Sequence, residues 1–390
     1  GNLIHSYPHS WRSKAPLVHR ATPQWFISME SHKLRKKAID SIDQTNFYPE
    51  KGKTRIRSMI ETRPDWCISR QRSWGVPLPI FIDKKTNEPL RDPEVIENIA
   101  KIYEKEGSDC WFHDDPQRFL GKKYNKDNYV KSNDIVEVWF DSGSTHSFVL
   151  EKRKDLKWPA SMYLEGSDQH RGWFHSSLLE SCGTRGRAPF ESILSHGFVV
   201  DGKGMKMSKS AGNIISPEDI LKKYGADILR LWVASSDYAE DLRIDHTILE
   251  QHAESYRKIR NTFRYILGNL RDNYSPQNFN SIKVKDLPEL EQVILHKLYF
   301  LSLEIKKSLK DYNFHKLQKE LLNFCTLDLS SFYFDIRKDT LYCDDVSSQK
   351  RKSCVTLLNI ILECLLKWYA PVLSFTTEEI TDLSNKNKKI

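Results

Sequence analysis

Asp201-Gly-Lys-Gly-Met-Lys-Met-Ser-Lys-Ser-Ala-Gly-Asn213 is the stretch on which the reading of this chain turns. Upstream lies an apolar, β-branched run from Ile193 to Val200, and downstream lies a helix start with full capping chemistry. Ser216 can cap, Pro217 suits the first helical position, and Glu218 with Asp219 face the positive end of the helix dipole, so a helix over 217–224 is predicted. Between strand and helix, the glycines supply backbone freedom and Ser208 and Ser210 supply hydroxyl donors. Lys206 and Lys209 add compact, mobile positive charge. Such a loop can wrap phosphates. Glycine-rich loops with lone lysines are also common as solvated surface turns, so spacing alone does not decide between the two.

Working outward, Met162-Tyr-Leu-Glu-Gly-Ser-Asp-Gln-His-Arg-Gly-Trp-Phe-His-Ser-Ser177 reads as a strand, a polar turn and a helix. Ligands of doubly wound sheets bind at that kind of strand-to-helix edge. Glu165 and Asp168 could hold an ammonium group and ribose hydroxyls, and Gln169 offers both donors and acceptors. A solvated capping turn is the plain alternative. Further candidate strands lie at 137–140, 161–164 and 193–200. From about residue 247 the apolar period becomes helical, with Ile248, His252, Tyr256, Ile259, Phe263, Ile266 and Leu270 on one face. Similar stripes run through Leu290, Val293, Ile294, Lys297, Leu301 and Ile305, and through Val355, Leu358, Ile361, Leu365 and Trp368. The expected fold is an α/β, partial Rossmann-like domain with a doubly wound parallel sheet over 1–245, followed by an all-α helical bundle over 246–390.

Composition narrows the class. With 390 residues, 39% of them hydrophobic, the chain can build more than one core, and a net charge of +8 suits a polyanionic partner without proving one. The apolar run Leu357 to Leu366 is interrupted by Asn359 and Glu363 and falls short of the roughly 20 residues that span a bilayer. No membrane association is expected. The 7 cysteines are scattered without a CxxC pair, which points to a reducing, cytoplasmic location. No histidines have metal-ligand spacing, and no zinc site is expected. On the bundle, Arg257, Lys258, Arg260, Arg264 and Arg271 line the face opposite the apolar stripe, a candidate strip for RNA phosphates or simply a solvated face. Aromatics in Ser331-Phe-Tyr-Phe-Asp-Ile-Arg-Lys-Asp-Thr-Leu-Tyr342 could stack on unpaired bases or pack between helices.

Lys206-Met207-Ser208-Lys209-Ser210 resembles the KMSKS signature of class I aminoacyl-tRNA synthetases. The segment from Glu165 to Trp173 resembles the aminoacyl-adenylate site of their isoleucyl branch. The likeness extends through Ser6-Tyr-Pro-His-Ser-Trp-Arg12, Arg20-Ala-Thr-Pro-Gln-Trp-Phe26, Arg63-Pro-Asp-Trp-Cys-Ile-Ser-Arg-Gln-Arg72, Trp74-Gly75 and Val138-Trp-Phe-Asp-Ser-Gly143. This resemblance implies an ATP-dependent ligase that activates isoleucine and passes it to tRNA(Ile), with Mg2+ entering on ATP. It places Lys206 and Lys209 at the phosphates, within a loop completed by Met207, Ser208 and Ser210. It places Glu165, Gly166, Asp168 and Gln169 at the adenylate, and Trp139 and Trp173 as walls of the side-chain pocket. Arg257, Arg260 and Arg264 become candidates for tRNA contact, residues 25–60 and 83–132 become connective insertions, and a monomer is expected. Selectivity over valine is not legible. One methylene separates the two amino acids by roughly 1–3 kcal/mol, a limit for which isoleucyl-tRNA synthetases are the standard illustration.

The family's early HIGH motif has no match, since His5 and His9 belong to a different string. A segment of something longer, inactive alone and with apolar sheet edges left open, is therefore expected. Two other readings stay open: a short tRNA-binding or scaffolding protein with a vestigial loop, and another adenylyl-transferring enzyme that binds no tRNA.

Overall fold

The computed structural model describes residues 1–10, 13–209, 211–271 and 283–387, with the side chains of 271 and 385–387 excepted. Trp11, Arg12 and Ser210, and the side chain of Arg271, thus lie outside the described residues. Two compact units form, the first from 1–163 with 168–194 and the second from 164–167 with 195–390.

The first unit is organised around the helix Trp173–Thr184, in which every residue from Phe174 to Cys182 is buried. A helix covered on all sides needs partners on all sides. Leu34, Ala38 and Ile42 supply one, at the four-residue spacing of the helix Leu34–Gln44, and Ile56 and Ile60 of Lys51–Glu61 join the same core. The strand Asn46–Tyr48 runs parallel to Ser192–His196 with Phe47 opposite Ile193, and Tyr163–Gly166 flanks Ser192–His196 on its other side. Residues 81–131 close a module of their own. Phe81–Asp83 pairs antiparallel with Tyr129–Lys131 over a core of Trp111, Phe119, Val95 and Ile99.

Two strand expectations need correction. Residues 137–140 do not form a strand: Ile135–Val136 is the strand, and Val138–Gly143 is a helix. The β-branched and aromatic run is overridden by packing. Gly143 lies so close to the helix Trp173–Thr184 that an added Cβ would stand 3.0 Å from the Ser176 backbone. The run 193–200 is two strands, Ser192–His196 and Val199–Asp201. At the break, Gly197 N donates to the Tyr238 carbonyl (2.9 Å) and Phe198 N donates to the Asp241 carboxylate (2.8 Å). The second strand then pairs parallel with Leu242–Ile244.

In the second unit the helix Pro217–Tyr224 begins and ends where its caps predicted, with Ser216 Oγ accepting from Glu218 N at 3.2 Å. Helices His246–Arg271, Glu289–Lys310, Phe314–Asn323, Phe334–Cys343, Gln349–Tyr369 and Ser374–Asn387 form the expected bundle. A π-helical stretch, Phe324–Tyr333, lies inside it. The stripe on Glu289–Lys310 is corrected: Val293 and Lys297 are exposed, and Leu298 is buried beside Ile294, Leu301 and Ile305. Ala226–Ser235 is docked onto the start of the helix Ser374–Asn387 and the turn that precedes it. Asp227 accepts from Thr376 N (2.8 Å) and Thr376 Oγ1 (2.6 Å), capping Ser374–Asn387. Arg230 donates to the carbonyls of Pro371 and Val372 at 2.6 and 2.9 Å.

Among the described residues, a charge pair lies buried in the bundle core. Glu291 is fully buried, Arg337 donates to it through Nε and Nη2 at 2.7 and 2.8 Å, and Tyr333 adds a hydroxyl donor at 3.0 Å. Removing one partner strands the other charge in the core. Arg337→Ala should therefore destabilise this unit by about 3–5 kcal/mol, whereas Glu291→Leu with Arg337→Met should recover most of the loss. The urea midpoint of the helical circular dichroism signal reads both.

Candidate functional site

The lysine loop is built around Asp201, the last residue of its strand. One carboxylate oxygen accepts from the backbone N–H groups of Lys203 (3.0 Å) and Met205 (2.8 Å). The other accepts from Asn213 Nδ2 at 2.8 Å. These bonds, that from Asn213 foremost, hold the Asp201 carboxyl below its ordinary range. Asn213 also reaches inward: its Oδ1 accepts from Ser208 N at 2.9 Å, and its Nδ2 lies 3.3 Å from the Lys206 carbonyl. Met207 packs against a small core of Ile220, Trp232, Leu242 and Ile244. With the backbone tied at these points, Lys206 and Lys209 stay exposed. Ser208 Oγ accepts from Ala211 N at 3.2 Å.

Three residues here escaped the sequence reading. Asp201 and Asn213 are the loop's ties, and Arg243 brings a further cation, within 3.6–3.8 Å of where a Cβ on Gly204 would stand. The signal for Arg243 was the alternation of buried Leu242 and Ile244 with an outward residue between them.

The acidic turn is divided between the units. Glu165 and Gly166 end the strand Tyr163–Gly166, where Glu165 is exposed and accepts from Gly166 N at 2.8 Å. In the first unit, Asp168 and Gln169 sit in one helical turn, with Gln169 Nε2 donating to Asp168 at 3.1 Å. Gln169 Oε1 accepts from Trp173 N at 2.9 Å and so satisfies a free amide at the start of Trp173–Thr184. Trp173 is held in place, its ring stacked 4.0 Å from Tyr163 and its Nε1 donating to the Ser142 carbonyl at 3.0 Å. Trp139 is 41% exposed and lies over Gly172, where a Cβ would stand 2.9 Å from the indole and 2.6 Å from Gln169 Oε1. A side chain there would push the ends of Gln169 and Trp139 aside. The structure thus brings Asp168, Gln169, Trp139 and Trp173 together in one unit.

A cavity of about 310 Å³ opens beside Trp139 and Gly172, lined also by Arg63, Glu137, Arg171 and His175. His175 Nδ1 donates to the His170 carbonyl at 3.1 Å, and burial, helped by Arg63, pushes its pKa down to about 4. Glu180 is buried and pushed up to about 9, with Asp141 and Glu137 adding to the effect. It is therefore a neutral acid near pH 7.

On the basic helix, Arg257 is paired with Glu254, and Arg260 donates to both oxygens of Glu379 at 2.9 and 3.2 Å, which raises its pKa. Arg264 is exposed. Of the aromatic segment, Tyr333 and Phe334 are core residues, while Phe332 and Tyr342 are 41% and 65% exposed. Packing took the first pair, leaving the second open to solvent.

A family model described as tRNA synthetases class I (I, L, M and V) matches residues 13–245, and one described as the anticodon-binding domain of tRNA ligase matches 291–390. The isoleucine–tRNA ligase of Pelagibacter ubique is 74% identical over 389 residues, covering 100% of this chain and 43% of that protein. That of Brucella abortus is 51% identical over 385 residues, covering 97% of this chain and 39% of its own length. The chain spans less than half the length of these relatives. Among solved structures, a Mycobacterium tuberculosis methionyl-tRNA synthetase in complex with methionyl-adenylate shares the fold. Its TM-score is 0.68 at 16% identity, over 98% of this chain and 66% of that one. A leucyl-tRNA synthetase–tRNA–LeuAMS complex of Agrobacterium radiobacter aligns with a TM-score of 0.55 at 18% identity, over 82% of this chain and 40% of that one.

Because the pKa of Glu180 is raised by folding, its contribution to stability is complete below the ordinary carboxyl range and is lost as pH rises toward about 9. His175 acts in the opposite sense and lower, losing stability as pH falls from its ordinary value toward about 4. Above pH 7, therefore, Glu180→Gln should flatten a decline of about 1.4 kcal/mol per pH unit at most. Thermal midpoints measured from pH 7 to 9 in parent and variant check this, and equal slopes would refute it.

Proposed function

This chain belongs to the class I tRNA synthetases, and we propose that it is part of an isoleucine–tRNA ligase. In that role it supplies the phosphate loop, much of the adenylate site and the tRNA-binding bundle. The 74% identity to an isoleucine–tRNA ligase along the whole chain is the observation that carries this reading. In the reaction, the isoleucine carboxylate attacks the α-phosphorus of ATP and pyrophosphate leaves. The terminal ribose hydroxyl of tRNA(Ile) then takes the acyl group and releases AMP. Little covalent work is asked of the protein, and catalysis is a matter of positioning and charge stabilisation.

Lys209 and Lys206 meet the charge that builds on the departing pyrophosphate, on a loop whose Ser208 and Ser210 add donors and whose Met207 anchors it. Glu165, Gly166, Asp168 and Gln169 hold the ammonium, ribose and base portions of the adenylate, with Trp139 and Trp173 as apolar walls. Mg2+ neutralises phosphate charge when ATP is bound. Among the described residues no group of three or more His, Cys, Asp or Glu could hold a metal ion. Residues 1–245 serve catalysis and 246–390 serve tRNA binding, with Arg264 the most available of the three arginines. We further read the protein as a cytoplasmic monomer. No described helix is long and apolar enough to cross a membrane.

In the full-length protein, Lys209→Ala should lower isoleucine-dependent ATP–pyrophosphate exchange by about 100-fold or more, the scale of losing one oriented charge at a developing anion. Circular dichroism should be unchanged. Exchange that proceeds at the parental rate would refute the assignment.

A further inference from the structure

Lys206 and Lys209 are exposed side chains on flexible stems, so the only means of aiming them is to fix the backbone that carries them. Asn213 does this from inside the loop: its side-chain amide accepts from Ser208 N (2.9 Å) and faces the Lys206 carbonyl (3.3 Å), bracketing Met207. Asp201 does it from the end of the strand, taking the N–H groups of Lys203 and Met205. The bond between them, Asn213 Nδ2 to Asp201 Oδ2 at 2.8 Å, joins the strand end to the segment that leads into the helix Pro217–Tyr224. We propose that Asp201 and Asn213 form a latch that sets the shape of the lysine loop, making both of them positioning residues for the activation step. This rests on the reading of the loop as the ATP-phosphate strap.

The donors and acceptors of the pair dictate which substitutions the latch tolerates. Asp201 acts only as an acceptor, and Asn213 both donates and accepts. Two carboxylates would repel across the latch. An exchange of the two residues keeps it. With the amide moved to position 201, its oxygen still accepts from Lys203 N and Met205 N and its nitrogen donates across the latch. With the carboxylate moved to position 213, its oxygens accept that donor and Ser208 N. Only the long contact to the Lys206 carbonyl is lost, because a carboxylate has no proton to give.

The experiment is isoleucine-dependent pyrophosphate exchange in the full-length protein, with KM for ATP and for isoleucine measured separately. Asn213→Ala should lower exchange about tenfold through ATP kcat/KM, the scale of a charge-assisted hydrogen bond, with KM for isoleucine and the thermal midpoint unchanged. Asn213→Asp should be worse than Asn213→Ala. The double variant D201N/N213D should return to within about threefold of the parent, again by the balance of donors and acceptors. Restoration by the exchange supports the latch, since a merely structural loop would gain nothing from it. A parental rate in Asn213→Ala, or a double variant no better than Asn213→Asp, overturns it. Lys209→Ala run alongside separates the failures. If that variant is inactive while the Asn213 variants are normal, the latch alone falls; if it is fully active, the strap reading falls and the latch with it.

Discussion

In the proposed role, a loop that offers mobile ammonium groups to a phosphate chain cannot bury them, so its shape has to be imposed from elsewhere. Here the imposing group is the Asp201 carboxylate, which takes Lys203 N, Met205 N and the Asn213 amide at once. Met207 pins the middle by packing against the small core. The core beneath is built by the same parallel pair of strands, Val199–Asp201 and Leu242–Ile244, that sets where Asp201 ends and where Arg243 points. Charge at the surface and packing below are therefore consequences of one short piece of sheet.

The next link runs from that core into the bundle. The helix after the loop leads to Ala226–Ser235, whose Leu231 belongs to the bundle core, whose Asp227 caps the start of Ser374–Asn387 and whose Arg230 satisfies two carbonyls in the turn before it, more than a hundred residues later. Free helix ends are costly unless partnered, so these two side chains make the loop's support and the bundle parts of one folded unit. In the first unit the Trp173–Thr184 helix has the corresponding role. Its burial on every side neutralises Glu180, depresses His175 and holds Trp173 flat against Tyr163. The turn that precedes it, Asp168–Gln169, is thereby presented by a rigid element rather than by a free loop.

Several features were legible in the sequence because their causes are local. The Pro217–Tyr224 helix is set by Ser216, Pro217 and two acidic neighbours within a single turn. The bundle is legible because a stripe such as Ile259, Phe263, Ile266 and Leu270 can be buried only as a helix. The string from Lys206 to Ser210 and the strings around Asp168 and Trp66 pointed to the family that the comparisons then showed. Where the cause is distant, local reading went astray. Val138-Trp-Phe looks like a strand and is a helix because Gly143 must meet another helix closely. Val293 looked inward until Leu298 took the buried register.

The sequence by itself determined the succession of an α/β part and a helical bundle, and the family, since each rests on residue types within a few positions of one another. Only the tertiary structure decided which polar groups are spoken for. Arg260 reads as free until Glu379 arrives from another helix, Gln169 shows no partner until its oxygen is seen accepting from Trp173 N, and Asn213 reads as a loop residue until Asp201 folds back to meet it. Hydrogen bonds and ion pairs act over about 3 Å, so partners remote along the chain cannot be assigned before the chain has brought them together.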